Sequence, residues 1–190
     1  IDVALDAIEA ALRELPVIDH RARIEHAGLC TPKQLERMRH LGVHVSCSIG
    51  FLGSEMSGNW VYFGKERMKW TFANKSFKDY SIAAGGNADW PVTNGNPFVG
   101  LGTAVTRKSV AGEILGPEQA ISVRDAIRMY TINGAFLSFE ENIKGSIEVG
   151  KVTDMIVIDR DIMTIPPDDI RNAEVDITIV DGKIIYERRV

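Results

Sequence analysis

The chain has 190 residues, 45% of them hydrophobic and 25% charged, and a net charge of −4. That balance belongs to a globular protein with a real core and excludes a disordered one. The acidic charge without any basic block excludes nucleic acid and anionic membrane as partners, and no apolar run approaches the ~20 residues that cross a bilayer. Only two cysteines, Cys30 and Cys47, are present, which excludes a disulfide scaffold and suits reduced thiols in a cytoplasmic protein.

The first predicted element is a helix with apolar residues at 1, 5, 8 and 12, stopped before Pro16. It has no capping residue ahead of it, so the chain is expected to start inside an element, as a piece of a longer protein would. Residues 17–27 read as a strand with a polar beginning that ends at His26. Thr31-Pro32-Lys33-Gln34 then forms a helix start, with Thr31 as cap, Pro32 in the first turn and Gln34 closing a capping box. Leu35, Met38 and Leu41 supply the buried stripe, Gly42 suits the carboxyl-terminal cap, and residues 43–47 form a short buried strand. Residues 50–75 mix glycine, serine, asparagine and aromatics without a period, which predicts a long loop with one helical turn around 65–69.

Residues 81–87, small and apolar, are expected to be a strand running into a loop at Asp89. Helices are predicted over 98–107, 123–130 (capped by Ser122, with Asp125 in a capping-box position) and 134–139. From Gly145 the character changes. Residues 154–159 read as a buried strand, and 175–180 and 183–187 flank Asp181-Gly182, a strong two-residue hairpin signal. Alternating strands and helices over 1–144, followed by an antiparallel β element over 145–190, define an α/β chain with two parts.

Two side chains carry the chemical argument. His26 lies where a strand runs out into a loop, a position that holds an imidazole with little freedom as a metal ligand; alone it is equally an ordinary hydrogen-bonded histidine. Period-two alternation places Arg23 and Glu25 on one face and His26 on the other. Asp89 follows Gly85-Gly86-Asn87-Ala88 and precedes Trp90-Pro91. A carboxylate there can bind a metal and accept a proton from a water that the metal has acidified; an Asx-type turn before proline is the plainer alternative. Two such groups on separate strands suggest the carboxyl rim of a parallel barrel, where barrel chemistry sits. His40 suits a helix end, His44 faces the far side of its strand, and His20 is expected to be exposed. Trp90 and Trp60, with Tyr62 and Phe63, are candidates for lining an apolar substrate pocket. Gly145 to Lys151 fits a phosphate-loop pattern, but Val152 replaces the required Ser/Thr and the segment leads into a strand, so nucleotide binding is rejected.

These segments resemble the amidohydrolase superfamily, in its branch of D-aminoacylases and N-substituted formamide deformylases. Arg23-Ile24-Glu25-His26-Ala27 is similar to that branch's sixth-strand metal histidine, and Asn87-Ala88-Asp89-Trp90-Pro91 to its eighth-strand motif, with Ala88 where serine is usual. Residues 130–135 resemble its helix signature, residues 145–159 the return into its small β-sandwich, and Asp181-Gly182-Lys183 the last hairpin. The resemblance implies the C-terminal part of a (β/α)8 barrel, about strands six to eight, followed by a small antiparallel β-sandwich element. It implies hydrolysis of a small-molecule amide-type C–N bond with one or two zinc ions, His26 as ligand, and Asp89 as ligand and proton-accepting base. It places the remaining ligands upstream of Ile1. A barrel cut there would leave two open sheet edges, so a homo-oligomer is expected. A catalytically silent fragment acting as an oligomeric or structural unit is the competing expectation.

Overall fold

The computed structural model describes residues 1–54 and 62–189. The chain opens with helix α1 (Asp2–Glu14), whose Leu5 is fully buried and whose amino end has no side-chain cap. Strand β1 (Arg23–His26) follows. It is much shorter than the predicted 17–27, because the polar residues ahead of it turn the chain. Arg21 adopts a positive φ of 43° and is held by Asp19 and Glu141, and the His20 Nδ1 accepts the Ala22 N–H at 2.9 Å. His20 is therefore partly buried instead of exposed, its Nε2 lying 2.8 Å from the Leu41 carbonyl.

Helix α2 (Pro32–Leu41) begins with the predicted capping box, and Gly42 ends it at φ 67°, a left-handed conformation that glycine takes without penalty. Its Leu35 and Met38 are fully buried, each contributing about 1.5–3 kcal/mol by leaving water. They face the fully buried Val43, Val45 and Cys47 on and beside strand β2 (His44–Cys47). Short helices α3 (Lys65–Met68) and α4 (Asn74–Asp79) come next. The α4 segment lies partly in the predicted loop, and its Phe77 is fully buried. Strand β3 (Ala84–Gly86) completes a parallel sheet in the order β1-β2-β3, with His26 beside Cys47 and Cys47 beside Gly86 at the carboxyl ends.

Glycines in β3 and in helix α5 (Pro97–Thr106) make room for Tyr130. A Cβ on Gly86 would sit 2.5 Å from its ring, and one on Gly100 would sit 1.8 Å from its hydroxyl oxygen. Helices α6 (Val123–Met129) and α7 (Ile132–Leu137) bracket Tyr130, and burial pushes its hydroxyl pKa up. Arg107, the left-handed cap of α5, is fully buried and has no carboxylate partner among the described residues. Its guanidinium donates instead to the carbonyls of Leu115 (2.9 Å), Phe72 (3.0 Å) and Thr71 (2.6 Å), and burial lowers its pKa to about 10.

The carboxyl end forms a second, antiparallel sheet of β4 (Met155–Ile158), β5 (Val175–Val180) and β6 (Lys183–Glu187). The hairpin turn has positive φ at both Asp181 (49°) and Gly182 (73°), as an Asp-Gly type I′ turn requires. Between β4 and β5, the 3-10 turn Pro167–Asn172 packs on α5, burying Ile170 against the core that holds Leu101 and Ala104. The predicted buried strand is only half-covered: Ile156 and Val157 are exposed, and β6 is exposed along its length, with Ile184 and Ile185 more than 60% accessible. Neighbouring strand residues point to opposite faces, so the exposure of Ile156 with Val157 and of Ile184 with Ile185 leaves both faces of this sheet partly in solvent. No described helix is long and apolar enough to cross a membrane.

Candidate functional site at the carboxyl rim of the parallel sheet

His26 is the last residue of β1 and leaves the strand at φ 66°, followed by Ala27 at 48°. That reversal breaks the two-residue alternation. Arg23 and Glu25 bond to each other at 2.6 Å, as residues on one face do, while His26 reaches past the strand's end toward Ser48. Its ring lies tilted against Phe51, centroids 5.7 Å apart, and Phe51 meets Phe72 edge-on. The His26 Nδ1 lies 2.9 Å from the hydroxyl of Ser48, the residue just past β2. Ser48 in turn donates to the Asn87 Oδ1 at 2.7 Å, just past β3. The same Oδ1 accepts the Asp89 backbone N–H at 3.1 Å, and the Asn87 Nδ2 donates to the Ser46 hydroxyl at 2.8 Å.

One hydrogen-bonded path therefore runs across the ends of all three parallel strands, from His26 through Ser48 and Asn87 to Asp89. Asp89 itself sits at φ 50° and is exposed. Left-handed backbone at non-glycine residues costs about 1–3 kcal/mol each and is retained where the surrounding structure over-determines it. At the same rim, burial raises the Glu25 carboxyl, but hydrogen bonds from Arg23 and Ser46 outweigh that and hold it below the usual carboxylate range.

His26 and Asp89 are thus brought to one rim. Trp90 stands beside them, exposed, its indole edge packed over Gly95, where a Cβ would meet it at 2.9 Å. Trp60 lies outside the described residues. Tyr62 and Phe63 are exposed. His44 is at the opposite end of β2, partly buried against Phe136, with its Nδ1 accepting the Ala83 N–H and its pKa lowered by burial. His40 is exposed at the end of α2. The thiols of Cys30 and Cys47 are free, and burial pushes both up to about 12, which suits inert core residues. The Gly145-to-Lys151 segment is a turn ahead of β4, with Lys151 bonded to Ser146. Ser46, Ser48 and Asn87 escaped sequence reasoning; the available signal was two serines at alternate positions of one strand's end.

An imidazole and a carboxylate at one rim are the right kinds of donor for a zinc-like ion. Their number is short of the three protein ligands usual for a catalytic zinc, and among the described residues no group of three or more His, Cys, Asp or Glu side chains converges.

The chain belongs to the amidohydrolase family, which it matches over residues 1–186. It is 35% identical over 190 residues to an N-substituted formamide deformylase of Arthrobacter pascens, covering 99% of this chain and 35% of that protein. Its structure is similar to that of an uncharacterized metal-dependent hydrolase from Pyrococcus horikoshii, with a TM-score of 0.73 and 30% identity over 87% of this chain and 33% of the other. The atrazine chlorohydrolase TrzN from Arthrobacter aurescens, solved with zinc, shares the fold at a TM-score of 0.62 and 20% identity, over 87% of this chain and 36% of that one. The chain spans about a third of the length of these relatives.

Proposed function

We propose that this chain is the C-terminal part of a metal-dependent hydrolase of amide-type C–N bonds, and that His26 and Asp89 are its contribution to the reaction centre. The observation that carries this reading is the hydrogen-bonded path that joins the two residues across the carboxyl ends of parallel strands. On this reading β1, β2 and β3 are about the sixth to eighth strands of a (β/α)8 barrel, and residues 145–190 belong to a small β-sandwich. Zinc, as one or two ions, would be held by His26 and Asp89 together with ligands supplied from outside these residues, and would acidify a water and polarise the scissile carbonyl. The Asp89 carboxylate accepts the proton of the attacking water and delivers it to the departing nitrogen. Trp90 would wall an apolar part of the substrate site, which suits an N-substituted small amide such as the one in the relative's name.

The test is hydrolysis of N-formyl and N-acyl amines by the longer protein that contains this chain, with zinc supplied. Turnover lost with chelator, with His26→Asn and with Asp89→Asn supports the reading; turnover indifferent to Asp89→Asn defeats it. A second reading, a silent chain acting as an oligomeric unit in the cytoplasm, draws on the short ligand set and the exposed Ile184 and Ile185. Under it, sedimentation shows a homo-oligomer assembled without metal, and no amide is turned over.

A further inference from the structure

The protons in the rim network can be assigned one by one, because its Asp89 end is chemically fixed. A backbone N–H only donates, so the Asn87 atom facing the Asp89 N–H must be the carbonyl oxygen. With Oδ1 turned that way, the amide nitrogen of Asn87 is the atom that faces Ser46, and it donates to that hydroxyl at 2.8 Å. Flipping Asn87 would set donor against donor at Asp89.

With Oδ1 thus placed, the 2.7 Å contact from Ser48 spends the only hydroxyl proton that Ser48 has. The 2.9 Å contact between Ser48 and His26 must then be donated by the imidazole. We propose that Ser48 and Asn87 are positioning residues that fix His26 as its Nδ1–H tautomer and leave Nε2 with the lone pair. The consequence for metal binding rests on the function proposed above: Nε2 is then the nitrogen that meets the ion, and the same asparagine that orients the imidazole also fixes the backbone of Asp89. Second-layer partners of this kind set both tautomer and ring orientation in metal sites.

The other histidines sharpen the test, because two of them are held the opposite way. His20 and His44 each accept a backbone N–H at Nδ1, from Ala22 and Ala83, so both carry their proton on Nε2. A two-bond proton–nitrogen correlation spectrum of the 15N-histidine-labelled chain reads all of them together at pH about 8, above the ordinary imidazole range. His26 is assigned by its loss in His26→Asn. The expected spectrum has a protonated Nδ1 and a bare Nε2 at His26, with the reverse pattern at His20 and His44. In Ser48→Ala and in Asn87→Ala the His26 signals move to the averaged positions of a tautomer mixture, while His20 and His44 stay where they were and report an intact fold. Asn87 is partly exposed at the rim, so its variant is the gentler of the two on folding.

A wild-type His26 protonated on Nε2 overturns the assignment. An Nδ1–H signature that survives both substitutions overturns the role of Ser48 and Asn87. The spectrum is taken without metal or substrate. A wrong tautomer therefore defeats the hydrogen-bond assignment alone, and turnover by the longer enzyme that is indifferent to Asp89→Asn defeats the hydrolase reading while leaving the tautomer in place.

Discussion

Arg107→Met removes a fully buried cation and asks what it holds together. The guanidinium donates to three carbonyls. Phe72 keeps the Asn74 N–H as a second donor to its carbonyl, so Thr71 and Leu115 are the residues that lose a partner outright. Each stranded buried carbonyl costs about 1–3 kcal/mol. Methionine fills the space of the aliphatic stem and recovers some of the desolvation cost of the buried charge. Two stranded carbonyls make ~2–6 kcal/mol, and the recovered desolvation brings the net loss to about 2–4 kcal/mol, or a melting point lower by roughly 4–16 °C for a chain of this size. The damage should be local before it is global. Thr71 pairs with Leu29, the Phe72 N–H bonds to Gly28 and the Cys30 N–H to Trp70, so Arg107 clamps the segment that braces the chain just past His26. Urea unfolding gives the stability difference, and hydrogen exchange at the Cys30 and Phe72 amides should accelerate more than at Val45. A variant as stable as the wild type, with those amides still protected, would refute the clamp and mark the charge as a tolerated burden.

The space around Tyr130 makes a second prediction. Gly86→Ala should cost about 1–3 kcal/mol by overpacking, and most of that cost should disappear in a Tyr130→Leu background; equal losses in both backgrounds would show that the ring is not the obstacle. The third concerns acid. Hydrogen bonds from Arg160 and then from the Glu174 N–H lower the Asp159 pKa from 3.8 to about 2. A carboxyl lowered on folding contributes stability above its unfolded value and loses it as pH falls toward its folded one. The advantage of wild type over Asp159→Asn in urea midpoint should therefore be full above pH 3.8 and gone near pH 2; an advantage constant across that window would count against the charge.

Local chemistry was readable where it is self-contained. The Thr31–Gln34 capping box, the Gly42 terminator and the Asp181-Gly182 turn each need only neighbouring residues, and each is present as expected. The beginning of β1 was overestimated because Arg21 is turned by Glu141, a partner far along the chain. Helix α4 was missed because Phe77 is its one apolar residue, too few for a period to show. Period alone placed β4 in the core, although tertiary packing leaves its Ile156 and Val157 in solvent. At the rim, His26 and Asp89 were legible because each sits at a strand's end before a loop. The serines and the asparagine that connect them were not, since their meaning arises only when three strands lie side by side.

The left-handed backbone at His26, Ala27 and Asp89 governs which replacements give interpretable answers. Asparagine accepts that conformation readily, so His26→Asn and Asp89→Asn delete an imidazole or a charge while leaving the main chain at ease. Valine or isoleucine at either position would force the peptide out of its turn. The resulting inactivity would then record a displaced loop and nothing about the missing side chain.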